Sequence, residues 1–300
     1  MLREGRRPRD RSEQMIANNY HAMLFIQDMR EEKLDPENIF ELQRILVSKT
    51  LDDETGAGRF RRRDENIVVV DPNDGVVLHV PPDANELPGR LANFCQIANA
   101  EDGEIFLHPV IMGILLHFAL AYDHPFIDGN GRTARAIFYW YMARRGYWLM
   151  EYLSISNILM QSPAQYARSY LYSETDDNDL TYFITFQLRV IQKAIEKLHR
   201  SLDRKMDQVH ETELLLKRNQ NLFASLNHRQ VALLNHGLRN EGVNYSLKTH
   251  KNSNSISYET ARKDLLKMVE LKLLEKFKIG RAFFFRLPRD LKKNIMKIDL

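Results

Sequence analysis

Cysteine is nearly absent. Cys95 stands alone among 300 residues, which excludes an internal disulfide and agrees with a reducing, cytoplasmic setting. Long hydrophobic runs are missing as well: none approaches the roughly 18 residues that cross a bilayer, so no membrane partner is expected. The arginine-rich start, residues 1–11, has no apolar segment behind it and reads as a solvated basic tail, not as a secretory signal. No internal repeat is visible. What is present suits a globular chain, with 44% hydrophobic and 28% charged residues on a length that can bury a core and form two domains.

The net charge of +3 conceals a division. Residues 1–200 hold 23 Lys+Arg against 29 Asp+Glu, or −6, whereas residues 201–300 hold 20 against 11, or +9. A basic final third suggests an acidic partner, with nucleic acid the first candidate, although solvated lysines alone give the same count.

The chemistry concentrates in residues 124–135, which run His124, Pro125, Phe126, Ile127, Asp128, Gly129, Asn130, Gly131, Arg132, Thr133, Ala134, Arg135. Pro125 and the Gly129-Asn130-Gly131 turn forbid a continuous helix, so a helix is predicted to begin near Asn130 and to stop at Gly146. Its free N–H groups, approached closely through glycine, make an anion site with phosphate as the usual guest. Arg132 and Arg135, three apart, share a helix face and can fork onto one phosphate chain. Asp128 offers a hard oxygen to a cation bridging those phosphates. His124 titrates near neutrality and can take a proton from a nucleophile. Taken singly, a histidine or a Gly-Asn-Gly turn is most often structural, and Pro125 and Phe126 are expected to pack. His117, His124 and Asp128 could instead ligate a transition metal, but one carboxylate beside two arginines suits phosphate and magnesium better.

This string resembles the signature of the Fic family, His-x-Phe-x-Asp/Glu-Gly-Asn-Gly-Arg-x-x-Arg, with every fixed position matched. The similarity extends through Phe60-Arg61, residues 67–80, Pro81-Pro82 and residues 109–122, about residues 50–160 in all. The resemblance implies a mainly α fold, a Fic-type helical bundle with a β-hairpin flap. It implies a protein adenylyltransferase that moves AMP from ATP to a Ser, Thr or Tyr hydroxyl of a target protein. On it His124 is the general base and Asp128 holds Mg2+ (or Mn2+). Gly129, Asn130 and Gly131 cradle the phosphates, while Arg132 and Arg135 neutralise the departing pyrophosphate. Two other functions stay open: transfer of a different phosphate-containing group, and nucleotide sensing by a DNA-binding transcriptional regulator.

Many Fic proteins carry an inhibitory helix, Ser/Thr-x-x-x-Glu-Gly/Asn, whose glutamate pairs with the second signature arginine. The corresponding stretch here runs from Glu13 to Asn18, with Ala17 at the glutamate position and only Asn18 matching. The resemblance therefore implies that this helix does not restrain Arg135 in the usual way. Glu13 is the alternative partner if the register differs.

Helical spacing predicts helices over residues 12–30 with Ser12 as N-cap, 35–47, 87–98, 109–121, 155–173 and 180–217, with residues 52–64 a loop whose Arg59 to Arg63 run is mostly solvated surface. Ile67, Val68, Val69 and Val70, then a turn over residues 71–75, then Val76, Val77 and Leu78 predict a β-hairpin. By resemblance it is the flap, whose edge can pair with an extended segment of the target protein. His117 is expected to be a hydrogen-bonded core histidine. Beyond residue 225, short helices over 229–234 and from Ser246, a helix over 257–269 and a hairpin over 274–287 resemble a winged helix-turn-helix domain. Tyr258, Arg262, Lys263, Lys267 and, in the wing, Arg281 are its candidate nucleic-acid contacts. The same fold serves protein contacts and homodimers. The expected domains are N-terminal helices over 1–49, a catalytic domain over 50–200, a helical linker over 201–224 and the winged helix over 225–300.

Overall fold

Asp10 begins the first helix by accepting a hydrogen bond from the Glu13 N–H at 2.8 Å. The predicted cap, Ser12, lies two residues too late, because Asp10 already satisfies an orphan N–H of the first turn. The structure, a computed structural model, describes residues 6–70, 75–100, 107–218, 224–240, 242–280, 282–288 and 290–291. The chain divides into two compact units, Met1–Leu198 and His199–Leu300.

In the first unit, α1 (Arg11–Asp28) and α2 (Pro36–Val47) form an antecedent pair, α2 capped by Asp35 with proline in its first turn. A short hairpin, β1 (Val69–Val70) and β2 (Val77–His79), follows. Then come α3 (Leu87–Ala98), α4 (Pro109–Asp123) and α5 (Asn130–Arg144). The predicted helix over residues 155–173 is two helices, α6 (Ile155–Met160) and α7 (Pro163–Thr175). Pro163 lacks the N–H that a continuous helix needs and opens the second one instead. The 38-residue α8 (Thr181–Arg218) carries the chain onward from this bundle.

The core is built where these helices meet. Trp140 and Ile137 of α5, Ile114 and Leu120 of α4, Leu42 and Ile39 of α2, Ile26 of α1 and Phe183 of α8 are all buried in one cluster. Phe126, fully buried, joins it from the loop between α4 and α5. A fully buried side chain of this size contributes roughly 1.5–3 kcal/mol, so the loop is pinned to the bundle core.

The second unit contains α9 (His228–Arg239), α10 (Leu247–Asn254), α11 (Tyr258–Glu270) and an antiparallel hairpin of β3 (Glu275–Ile279) and β4 (Ala282–Arg286). Ser257 caps α11 through the Thr260 N–H, as its position before an apolar-periodic run predicts. Its own small core holds Leu234, Leu265, Met268, Leu273 and Phe285. Asp264, buried on α11, accepts from Arg229 and Asn227 at 2.8 and 2.7 Å and lies 3.2 Å from His250, which locks the three helices together.

Candidate active site

His124 ends α4 in the left-handed conformation, φ 46° and ψ 54°. That conformation is costly for a side-chain-bearing residue and persists only where neighbours hold it. Arg61 supplies the hold. Its Nε donates to the His124 carbonyl at 2.8 Å, its backbone N–H to the Pro125 carbonyl at 2.8 Å, and its Nη2 to the Pro82 carbonyl. The arginine thus ties the loop to the segment that follows the hairpin. Of the Arg59 to Arg63 run, read as surface, Arg61 is buried and Arg59 is clamped to Glu65 by two bonds.

The His124 imidazole has its Nδ1 2.9 Å from the Ala121 carbonyl. A carbonyl only accepts, so the proton sits on Nδ1 and Nε2 keeps its lone pair. Burial pushes the His124 pKa below its ordinary value, with positive His79 and Arg61 nearby adding to the effect. The group is therefore neutral, and able to accept a proton, at pH 7.

The glycine turn follows. Gly129 adopts φ 83°, and a Cβ on it would lie 2.6 Å from Val47 Cγ1, so this position requires glycine. The Asn130 side chain accepts from the Phe126 N–H at 2.9 Å and donates to the Phe126 carbonyl at 2.7 Å. It closes the loop on itself and is 3% exposed, so what Asn130 presents outward is its backbone N–H and not its amide. At the start of α5 the N–H groups of Asn130, Gly131 and Arg132 have no partner within the helix. They form a mouth of the kind that receives anions. Gln43, fully buried on α2, donates to the Asp128 carbonyl at 3.0 Å and accepts from the Gly58 N–H at 2.6 Å, bracing that mouth from below. Gln43 did not stand out in the sequence, and Arg61 did so only within the Phe60-Arg61 match and without a role, because their partners are backbone groups on distant segments.

The two signature arginines have different surroundings. Arg132 Nη2 pairs with Asp128 Oδ2 at 2.8 Å and its Nη1 donates to the Leu46 carbonyl at 2.8 Å. Asp128 Oδ1 accepts from the Gly129 N–H. Arg135 instead lines a small enclosed space with His117, Phe138, Tyr139 and Gln187. Sharing a helix face, as their spacing predicts, has not given them common partners. His117 is buried, with Nε2 3.0 Å from the Tyr166 hydroxyl, and burial followed by the charge of Arg135 lowers its pKa to about 3.

The hairpin pairs Val69 with His79 and Val70 with Val77. Ile67, Val68 and Val76 lie beside these strands and Leu78 within β2. The turn over residues 71–74 is outside the described residues. Val68, Val70, Val76 and Val77 are exposed. His79 fastens this flap: Nδ1 lies 2.9 Å from Glu174 Oε2 on α7 and Nε2 lies 2.7 Å from the Tyr122 carbonyl. Burial opposes protonation of His79, but these two acceptors outweigh it and raise its pKa.

On α1, Glu13 is bound by Arg6 at 2.6 and 2.7 Å and by the Arg9 N–H at 2.9 Å, with its pKa lowered to about 2 by those bonds. It is thereby engaged at the helix start and not with Arg135. Ala17 is buried, and Asn18 donates to the Leu46 and Ser48 carbonyls. Leu46 oxygen accepts from both Asn18 and Arg132.

In the second unit Tyr258, Arg262 and Lys263 are exposed on α11, Arg262 within 3.8 Å of Glu259. Lys267 donates to the Ser225 carbonyl. Arg281 lies outside the described residues.

Residues 33–142 match the Fic/DOC family model. A protein adenylyltransferase Fic of Drosophila yakuba is 36% identical over 128 residues, 42% of this chain and 23% of that protein. A protein adenylyltransferase Fic of Nematostella vectensis is 27% identical over 167 residues, 56% of this chain and 34% of that protein. The chain thus spans a minor part of these relatives' length. A crystal structure of a Fic family protein from Desulfovibrio desulfuricans shares the fold, with a TM-score of 0.56 at 19% identity over 96% of this chain and 79% of that one.

Proposed function

We propose that this chain is a protein adenylyltransferase that moves AMP from ATP to a Ser, Thr or Tyr hydroxyl of a target protein and releases pyrophosphate. The observation that carries the reading is the His124 imidazole, with Nδ1 held by the Ala121 carbonyl at 2.9 Å and Nε2 left basic. Nε2 takes the proton of the target hydroxyl while its oxygen bonds to the α-phosphorus. The bond from that phosphorus to the bridging oxygen breaks, and pyrophosphate leaves with the electron pair. The N–H groups at the start of α5, with Arg132 and Arg135, hold the phosphate oxygens and the charge that develops on them. Positioning and charge supply most of the rate, and the base contributes on the order of 100 to 10,000-fold.

Asp128 suits magnesium or manganese as a ligand. Its side chain is 45% exposed, it is a hard oxygen donor, and the described residues contain no group of three or more His, Cys, Asp or Glu able to cage a metal unaided. One carboxylate oxygen with substrate phosphates and water is the usual magnesium arrangement, where the ion neutralises phosphate charge. The flap supports a protein acceptor, because Val68, Val70, Val76 and Val77 are apolar and exposed on a two-stranded hairpin in which each strand is an edge.

Incubation of the chain with ATP and magnesium in a protein extract tests this. Label from the α-phosphate should enter protein, and label from the γ-phosphate should not. Entry of the γ-label would replace adenylyl transfer by phosphoryl transfer, and label confined to free nucleotide would sink both.

A second, compatible activity concerns residues 225–300. The order of three helices and a hairpin is that of a winged helix. Exposed Tyr258, Arg262 and Lys263, with Lys276 lying 4.2 Å over the exposed Phe283 ring on the hairpin, favour nucleic acid as its partner. Duplex binding that weakens steeply with salt is expected. Binding indifferent to salt would leave a protein contact as the role of this domain.

A further inference from the structure

A cavity of about 440 Å³ lies between α3, α4 and the turn that joins α7 to α8. Phe94, Ile97, Phe118 and Leu180 give it an apolar wall, on which Ile97 is half exposed. Arg90 and Asp123 also line it, and Arg90 donates to Asp123 from Nε at 2.8 Å and from Nη2 at 2.7 Å. Both bonds fall on Asp123 Oδ1, which leaves Oδ2 as an acceptor. Ile97 lies two helical turns further along α3 than Arg90, roughly 10 Å on the helix rise. The cavity thus grades from a carboxylate to a hydrocarbon surface.

The charge carried by the lining elements is mostly negative. Arg90 is the only Lys or Arg in α3, α4 has none, and none occurs between Arg168 and Arg189. Against it stand Asp123, Glu86 at 3.7 Å from Arg90 Nη1, and the exposed Asp176, Asp177 and Asp179 of the turn. Burial holds the Asp123 pKa above its ordinary value in spite of Arg90, so a second cation beside it is favourable. A lysine or arginine side chain meets both demands, with its aliphatic stem on the apolar wall and its charged head at the carboxylate.

Tyr122 and Asp123, which line the cavity, directly precede His124. The flap is fastened at the same place: His79 Nε2 lies 2.7 Å from the Tyr122 carbonyl, and the two rings have centroids 4.7 Å apart. A segment laid along the flap therefore passes close to both His124 and the cavity. We propose that this cavity receives a lysine or arginine side chain of the target protein, a few residues from the modified hydroxyl, with its charged head on Asp123. The proposal rests on the adenylyltransferase reading for the hydroxyl and on the cavity alone for the basic side chain.

Synthetic peptides with a single Ser, Thr or Tyr in an alanine background test it, with lysine, norleucine, aspartate or alanine placed in turn at each of the four positions on either side. Norleucine carries the stem without the charge. With the full chain, magnesium and α-labelled ATP, kcat/KM should be at least about tenfold higher for lysine than for alanine at one or two positions, the scale of a hydrogen bond to a charged group. Norleucine should fall between them. Asp123→Asn should bring lysine to within about twofold of norleucine. Ile97→Ser, at a half-exposed position, should shrink the advantage of norleucine over alanine and spare that of lysine over norleucine. Each comparison is a ratio within one protein, so lost stability or slowed chemistry cancels. Equal labelling at every position, a preference for aspartate, or a lysine preference that survives Asp123→Asn overturns the proposal. The same peptides carrying fluorescein are titrated without nucleotide and read by anisotropy, and this arm decides if no peptide is labelled. Lysine-selective binding that Asp123→Asn abolishes keeps the basic-side-chain site, and an absence of label in extract proteins as well then sinks the adenylyltransferase reading alone. Binding indifferent to lysine overturns the site whether or not extract proteins are labelled.

Discussion

Two residues decide what the candidate loop can do, and each acts through a bond to backbone. The Ala121 carbonyl occupies Nδ1 of His124 and leaves Nε2 to accept, the state that the proposed base role requires. Replacement of His124 by Ala should lower AMP transfer by at least about 100-fold and leave ATP affinity nearly unchanged, as read by intact mass and by titration calorimetry. Because burial lowers the His124 pKa, the acid limb of the rate should have its midpoint below the ordinary histidine value of about 6.5, with a plateau already reached at neutrality. A midpoint above that value would assign the limb to another group. Asn130 decides the shape of the loop. Removing its two bonds to Phe126 in Asn130→Ala leaves a buried N–H and carbonyl unsatisfied, costing about 1–3 kcal/mol. Chemical denaturation should report the loss. An unchanged midpoint would mean that the loop reseals around water.

The flap is held as an element by one titratable side chain. His79 donates from both ring nitrogens, to Glu174 and to the Tyr122 carbonyl, which requires the protonated form. Asp123, itself bonded to Arg90, and neutral His124 are the other titratable groups close to it. A folded pKa raised above the unfolded value gives stabilisation that is complete below about pH 6.5 and lost as pH rises through the folded value. Amide exchange at Val77 should therefore accelerate, relative to the chemical rate, as pH passes that value. His79→Gln, which can still donate but no longer titrates, should abolish the pH dependence; exchange that keeps it would place the switch elsewhere. Helix α1 is the second element with a decidable role. Ala22, Ile26 and Met29 are buried against the bundle, and Asn18 props the Leu46 carbonyl that Arg132 also uses. Deleting residues 1–30 should lower the melting temperature and reduce transfer. A sharp rise in activity would instead reveal restraint of Arg135 by this helix.

At the scale of the molecule the charge division and the structural division nearly coincide. Counted by unit, residues 1–198 hold 22 Lys+Arg against 29 Asp+Glu, or −7, and residues 199–300 hold 21 against 11, or +10, so the border at Leu198 and His199 divides acidic from basic. It lies inside α8, so neither glycine nor proline marks it. The described residues contain no helix long and apolar enough to cross a membrane. Most helices were legible because 3.6-residue periodicity and caps are local properties: Leu87–Ala98 emerged with the bounds read, and α2 within one residue of them. The split at Pro163 and the start at Asp10 were read less well, since each turns on a single competing local signal.

By itself the sequence determined the chemical inventory of residues 124–135, the glycine turn, the helix that follows and the absence of a glutamate at position 17. Those are matters of residue type and short-range spacing, and they hold without a fold. Only the tertiary structure decided which nitrogen of His124 is basic, that Arg61 and Gln43 brace the loop, that the Asn130 amide faces inward, and that Arg132 and Arg135 part company. Each of those depends on a backbone carbonyl or a hydroxyl far away in the chain. A carbonyl is the same in every residue, so no pattern of side chains announces which one a buried arginine will find.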